Sequence, residues 1–309
     1  MKKIIGTDKI LKKILIIGSN GFLGYNLHQI KEKKEFKDLN YFFIAADVEQ
    51  SNIEENIPFH FIDITKKESF FKKIIKISPD IVILTAAMTN VDKCEKDKKL
   101  AVKINTEGPI NVIRACNKAE SKLIFVSTDF VFDGKKEGYY TEKDTPNPLN
   151  HYAKTKFDAE QALINSEIEY LICRTAVLYG WNSSKLNFIT WVLKNLEQNK
   201  KIFIVKDQIN SPTFVRNLAE IILKLIEKDI KGIIHTVGDV ALSRYEIAQK
   251  CAEIFEFKNE LIFPIDEFEN ITVNGNIILG GQILLEVDQL INASILPTID
   301  NKFDIGSPS

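Results

Sequence analysis

The apolar positions of this chain fall into two rhythms. Short unbroken runs, "KILIIG" from Lys13, "YFFIAAD" from Tyr41, "DIVILTAA" from Asp80, "KLIFVST" from Lys122 and "EYLICRT" from Glu169, are separated by longer stretches in which apolar residues recur every three or four positions. Unbroken apolar runs of this length mark strands buried on both faces, and their alternation with helical periodicity predicts a right-handed, doubly wound α/β fold with a parallel sheet. Helices are expected to begin near Phe22, Lys67, Ala101 and Tyr152, with Thr65 placed to cap the second. Beyond about Leu178 the alternation loosens. Helical periodicity over Asn187 to Asn199, Val215 to Glu227 and Arg244 to Phe255, with short strands "KIFIV" and "GIIHTV" between, predicts a smaller α/β lobe. The expected division is therefore residues 1–178 and 179–309, with some exchange of chain between the two. The tail, residues 275–309, has irregular periodicity and receives no assignment.

Composition narrows the function classes. Among 309 residues, 41 Lys and Arg stand against 42 Asp and Glu, a net charge of −1. With no polybasic block, neither nucleic acid nor an anionic membrane is the expected partner. The longest apolar runs are too short to span a bilayer and the N-terminus lacks a signal-peptide apolar region, so a soluble, cytoplasmic protein is expected. Cys94, Cys116, Cys173 and Cys251 lie far apart without metal-ligand spacing, which reads as four small buried hydrophobes rather than disulfides or a metal site. His151 and His235 read as local hydrogen-bonding residues, and no metal is expected.

Candidate chemistry begins at "GSNGFLG". Gly18, Gly21 and Gly24, interleaved with Asn20, Phe22 and Leu23, lie directly after a strand and open a helix. Glycines there allow a tight turn and close approach of the backbone to a pyrophosphate, and the helix N-terminus offers N–H groups to the phosphates. The spacing is GxxGxxG rather than GxGxxG. Asp47, at the end of the second strand, is placed to accept hydrogen bonds from an adenosine ribose, and it leans toward NAD because a carboxylate repels a 2′-phosphate. Asp63 in "FIDIT" either meets the adenine amino group or simply opens a helix.

Downstream, Thr128 closes the strand "KLIFVST", and strand carboxyl ends are where open α/β sheets bind ligands. Tyr152 and Lys156, one helical turn apart in "HYAKTKFDAEQAL", share a face. Thr128 can donate a hydrogen bond to a substrate carbonyl, Tyr152 can deliver a proton, and Lys156 can hold a nicotinamide ribose while lowering the phenol pKa from its ordinary value near about 10.

These stretches, with "PDIVILTAAMTNVDKCE", "INTEGPINVIRAC", "STDFVFDG", "YTEKDTPNPLNHYAKTK", "RTAVLYG" and "DQINSPTFV", resemble the extended short-chain dehydrogenase/reductases, and within them the dTDP-4-dehydrorhamnose reductase group. The resemblance runs from Lys13 to about Phe255. It implies a Rossmann domain binding NAD or NADP, a C-terminal substrate lobe, and reduction of a nucleotide-linked 4-keto sugar. By position it implies Thr128, Tyr152 and Lys156 as catalytic, Ala86, Ala87 and Thr89 along the cofactor, Asn105 beside the site, and Val91, Asp129 and Phe130 near the sugar. A homodimer is what the group suggests. Two departures stand out: Val177 replaces a sugar-contacting Trp in "RTAVLYG", and Gly280 takes the place of an Arg that meets the diphosphate, losing a charge-assisted contact. Two other readings stay open: a partner-binding protein resembling the regulatory β subunit of methionine adenosyltransferase, and a sugar-nucleotide epimerase with tightly held NAD.

Overall fold

In the computed structural model, which describes residues 11–30, 33, 36, 39–49, 56–181, 186–266, 277–279 and 282–285, the chain divides into two units. The first comprises residues 1–176 and 213–237, the second 177–212 and 238–309.

The sheet of the first unit is built from the apolar runs. Its strands are β1 (Lys12–Ile17), β2 (Tyr41–Asp47), β3 (Phe59–Phe61), β4 (Ile81–Leu84), β5 (Lys122–Thr128), β6 (Tyr170–Thr175) and β7 (Gly232–His235). All pair in parallel, in the order β7-β6-β5-β4-β1-β2-β3. The order reverses beside β1, which opens a crevice at the carboxyl ends of β1 and β4, the place where such sheets take ligands. The helices are α1 (Phe22–Ile30), α2 (Lys67–Ile77), α3 (Val91–Lys96), α4 (Lys98–Val102), α5 (Gly108–Ala119), α6 (His151–Ile164) and α7 (Val215–Glu227), with a π-helical turn at Lys103–Glu107 leading into α5.

Leu15, Val82, Phe125 and Ile172 are buried at the centre of the sheet, where Ile74 of α2, Val112 of α5 and Leu163 of α6 close over them. Truncating any one of these large side chains to Ala is expected to cost about 2–5 kcal/mol. All four cysteines are free and buried. Among the described residues no helix is long and apolar enough to cross a membrane.

Three expectations change. The strand in "GIIHTV" and the helix Val215–Glu227 were assigned to the smaller lobe, but both belong to the first unit, where β7 pairs with β6. An apolar strand carries no mark of which sheet it will join. Thr65 does not cap α2: its amide and hydroxyl both bond to Asp63, at 2.9 and 2.7 Å, and the N-cap residue Lys66 carries no side-chain cap. The helix expected near Ala101 begins at Lys98, where Asp97 caps it by accepting from Leu100 N at 3.0 Å, and it passes through the π turn at Lys103–Glu107 before it continues as α5.

The second unit pairs Ile202–Val205 with Ile262–Ile265 in parallel and Ile209–Asn210 with Leu242–Ser243 antiparallel. Helices Phe188–Glu197 and Arg244–Ile254 each begin with a capping box, Asn187 with Thr190 and Ser243 with Glu246. Each box satisfies two otherwise orphan N–H groups. Val192, Leu196, Ile204, Ile247 and Cys251 form the core of this unit. Ile277–Leu279 and Gln282–Leu285 form an antiparallel pair.

Candidate active site

The turn after β1 is shaped by its own backbone. Gly18 has φ +92°, a left-handed conformation, and a Cβ there would stand 2.6 Å from Ala86 N and 2.6 Å from Thr85 Oγ1. At Gly24 a Cβ would meet Gly18 O at 2.1 Å, so α1 can lie against the turn only with glycine at that position. Between them, Ser19 Oγ donates to Ile16 O at 2.7 Å and accepts from Ala46 N at 2.8 Å, stitching the turn to β2. Phe22 and Leu23 begin α1 directly after Gly21.

Asp47 ends β2 beside this turn. Its carboxylate accepts from Asn20 N at 2.9 Å and from Val48 N at 2.8 Å, and Asn20 Nδ2 reaches Glu49 O at 3.3 Å. The acid is thus fixed to the glycine turn by backbone N–H groups. Asp63 is held within its own turn by Thr65, with Lys66 Nζ at 3.6 Å from its other oxygen. Burial pushes its pKa up, but the bonds from Thr65 and the Lys66 charge outweigh that and leave it below the usual carboxylate range.

The loop after β4 runs alongside. Thr85 Oγ1 bonds to Ile17 O and Gly18 O, both at 3.0 Å, and Ala86 N bonds to Ile17 O at 3.1 Å. Ala86 and Ala87 are half-buried and Thr89 is exposed. Asn105, in the π turn, packs against this loop. Its amide accepts from Met88 N at 2.8 Å and donates to Met88 O at 2.9 Å and Thr155 Oγ1 at 3.3 Å. It clamps the β4 loop to α6, and the π turn is the local distortion that brings it there.

At the end of β5, Thr128 caps a short 3₁₀ turn, Asp129–Val131, accepting from Phe130 N and donating to Asp129 Oδ1, both at 3.2 Å. Tyr152 stands within hydrogen-bonding reach of the Thr128 hydroxyl and meets the Phe130 ring edge-on at 6.3 Å. α6, which carries it, is capped by Asn150, whose side chain accepts from Ala153 N at 2.8 Å. His151 N donates to Glu95 at 2.6 Å and its Nε2 lies 3.2 Å from Lys98 O, a purely local role. One turn on, Lys156 Nζ donates to Val126 O at 2.8 Å and sits over the Phe125 ring, 3.9 Å from its centroid. Burial pushes its pKa down to about 7, opposed by the charge of Glu160.

This arrangement corrects one expectation. The Tyr152 phenol is raised, not lowered: burial dominates, Asp129 and Cys94 add to it, Thr128 pulls the other way, and Lys156 is not among the groups that move it. The ammonium donates to the Val126 carbonyl, and it titrates well below the phenol, so it is already neutral where the phenol would lose its proton.

A turn further along α6, Glu160 makes a fork with Arg174 of β6: Nε to Oε1 at 3.1 Å, Nη2 to Oε2 at 2.7 Å. Sequence reading missed both residues. The only available signal was an acid four positions after Lys156, and it means nothing until β6 brings the guanidinium. The chain after β5 is organised by Asp133, which accepts from Tyr140 Oη at 2.7 Å and Asn147 Nδ2 at 3.0 Å. Those bonds hold its carboxyl down to about 2. Val91 is half-buried at the start of α3, close in sequence to the β4 loop. Val177 begins the second unit at φ +29°, a region that β-branched residues avoid. Gly280 and most of the tail lie outside the described residues.

A glycine turn opening a helix, an acid at the end of the next strand, and Thr, Tyr and Lys at a strand end and along one helix face are the donor set that a dinucleotide and a carbonyl substrate require. The model of a family described as "RmlD substrate binding domain" matches residues 12–273. The chain belongs to that family. Similarity to members with named activities is moderate. A dTDP-4-dehydrorhamnose reductase of Aggregatibacter actinomycetemcomitans is 30% identical over 244 residues, 77% of this chain and 77% of that one. A crystal structure of dTDP-4-dehydrorhamnose reductase from Bacillus anthracis in complex with NADP superposes with TM-score 0.74 at 32% identity, covering 83% of this chain and 85% of that one. Methionine adenosyltransferase 2 subunit beta of Rattus norvegicus is 28% identical over 264 residues, 83% of this chain and 76% of the relative. The RmlD likeness therefore spans both units of the chain.

Proposed function

We propose that this protein is an NAD(P)H-dependent reductase of the 4-keto group of a nucleotide-linked deoxy sugar, with Tyr152 as general acid. One observation carries the reading: the Tyr152 phenol sits beside the Thr128 hydroxyl at the carboxyl end of β5, with Lys156 one turn away on the same helix face. The RmlD membership and the reductase relatives support it. The glycine turn fits a dinucleotide, because close packing of α1 on Gly18 brings a helix N-terminus to the end of β1 with no side chain in the way.

A bound reduced nicotinamide would supply the hydride. The protein's own residues have separate tasks. Thr128 donates a hydrogen bond to the carbonyl oxygen, and Tyr152 gives up its proton to that oxygen. Lys156 holds the nicotinamide ribose, turning from Val126 O, and from there stabilises the phenolate left on Tyr152. A phenol with a raised pKa keeps its proton until substrate arrives, which suits an acid better than a base. Ala86, Ala87 and Thr89 flank the cofactor, and Asp63 takes the adenine side. Asn105 supports this edge by fixing Met88.

Asp47 favours NADH, since a 2′-phosphate would meet its carboxylate. Val91, Asp129 and Phe130 approach the sugar, and the protein acts as a homodimer. The test is to titrate NADH and NADPH, then follow oxidation at 340 nm with nucleotide-linked 4-keto sugars, dTDP-4-dehydrorhamnose first. Turnover that disappears in Tyr152→Phe, with cofactor affinity kept, supports the reading. Cofactor binding without turnover on any such sugar rejects it and directs attention to a protein partner.

A further inference from the structure

Behind the Tyr152 and Lys156 pair, α6 carries a third polar residue at the same spacing. Tyr152, Lys156 and Glu160 stand four apart on one helix face, and the row continues into β6 through Arg174. The Arg174 and Glu160 side chains are 3% and 0% exposed, by far the most deeply buried ion pair among the described residues. Burying two charges is costly unless geometry and further bonds repay it, and an apolar pair of similar volume often serves stability as well. Stability alone therefore gives little reason for an ion pair here. Its position one turn behind Lys156 gives another.

A buried Lys beside a buried Glu has an easy escape: the proton passes from ammonium to carboxylate, leaving two neutral groups. That escape closes when the carboxylate is forked by a guanidinium, which does not deprotonate in proteins and makes the ionised carboxylate the favoured form. Arg174 is itself tied in place. Its guanidinium lies over the Phe132 ring at 5.2 Å, and its backbone carbonyl accepts from Thr236 N at 2.8 Å.

Resting on the reductase reading, we propose that Glu160, held ionised by Arg174, is a positioning residue that keeps the Lys156 ammonium charged in its buried place behind Tyr152. Glu160 acts through Lys156 and touches neither substrate nor cofactor. The charged and titratable groups facing this row are Asp129 and Cys94 beside Tyr152, Arg174 on β6, His235 on β7, which meets Phe132 edge-on at 5.5 Å, and Glu142, which accepts from His235 N at 2.8 Å. Among these groups, the Glu160 charge is the one that supports the Lys156 cation.

The experiment uses the full chain in three forms: wild type, Glu160→Gln, and the double variant Glu160→Gln with Arg174→Met, which leaves no orphan guanidinium and so guards against misfolding. The Lys156 side chain is followed by its 13Cε resonance against pH, assigned by its loss in Lys156→Arg, and NADPH affinity and kcat/KM are measured across the same range. Both Glu160 variants are expected to titrate Lys156 about one pH unit or more below wild type. The alkaline loss of NADPH affinity and of kcat/KM should move to lower pH by the same interval. Folded variants in which the Lys156 titration stays where it is in wild type overturn the proposal. The resonance reads the lysine without any turnover, so a wild type inactive on every sugar rejects the reductase reading while this test still returns its own answer.

Discussion

At the end of β1 the chain removes side chains, whereas along α6 it buries ionisable ones. The glycine turn works by emptiness: α1 lies so close to the turn that a Cβ on Gly24 would stand 2.1 Å from Gly18 O, and Ser19, Asn20 and Asp47 spend their polar groups on backbone partners. The α6 row works by charge kept in a place where charge is disfavoured. Lys156 has one carbonyl, one aromatic face and one nearby carboxylate, and its pKa falls to about 7. The contrast teaches that a cradle for a cofactor can be a low-energy structure, while the groups that move a proton are held ready at a cost in stability.

The contrast can be broken at either end. The largest effect is expected from Tyr152→Phe, which removes the acid and leaves the ring packed against Phe130. Turnover should fall about 1,000-fold, on the order of 4 kcal/mol, with NADPH affinity within about twofold of wild type. Activity within tenfold of wild type would show that another group delivers the proton.

Next comes Gly24→Ala, whose added methyl meets Gly18 O, a backbone atom that cannot swing aside. A loss of about 3 kcal/mol in urea unfolding, with weakened cofactor binding, is expected. An unchanged midpoint would mean that the turn yields more readily than its packing implies.

Lys156→Met sharpens the other side. The folded-state pKa of Lys156 is about 7 against an ordinary 10.5, so the unfolded chain binds more protons between those values. The destabilisation from this group is therefore full below about pH 7, shrinks as pH rises, and is gone near pH 10.5. The Met variant should be more stable than wild type by about 2 kcal/mol at pH 6, less so at pH 9, and catalytically dead. A variant less stable at pH 6 would contradict the claim that charge here is a liability.

The smallest effect expected is at Asp47. Asp47→Ser should shift the ratio of NADH to NADPH affinity toward NADPH by about tenfold, roughly 1.4 kcal/mol. A ratio that stays put would place the 2′ position away from this carboxylate.

The sequence made the first unit readable because its strands are buried on both faces, so "KILIIG" and "KLIFVST" announce themselves with no alternation to decipher. Gly18, Gly24, Tyr152 and Lys156 were readable because local spacing alone brings them into use. What escaped depended on distant partners. The clamp that Asn105 makes between Met88 and Thr155 is one such case, since no local spacing brings the β4 loop and α6 together. Lys156 was expected to lower the phenol, yet burial raises it, because four residues of helix fix a common face but not how deeply a side chain is buried. Arg174 sits inside an apolar run, "EYLICRT", and nothing local says that it will meet Glu160.

The lateness of β7 also bears on how the protein is made. β7 covers the outer edge of β6, yet it is encoded after the whole 177–212 excursion and after α7. A nascent chain on the ribosome therefore presents β6, with its row of unpaired N–H and C=O groups, until residue 235 has emerged. Exposed apolar edges recruit other strands. A fragment ending at Ala176 should self-associate by light scattering where the full chain does not, and an added peptide spanning Gly232–His235 should suppress that association. If the fragment stays monomeric, β6 is protected during synthesis by something other than its final neighbour.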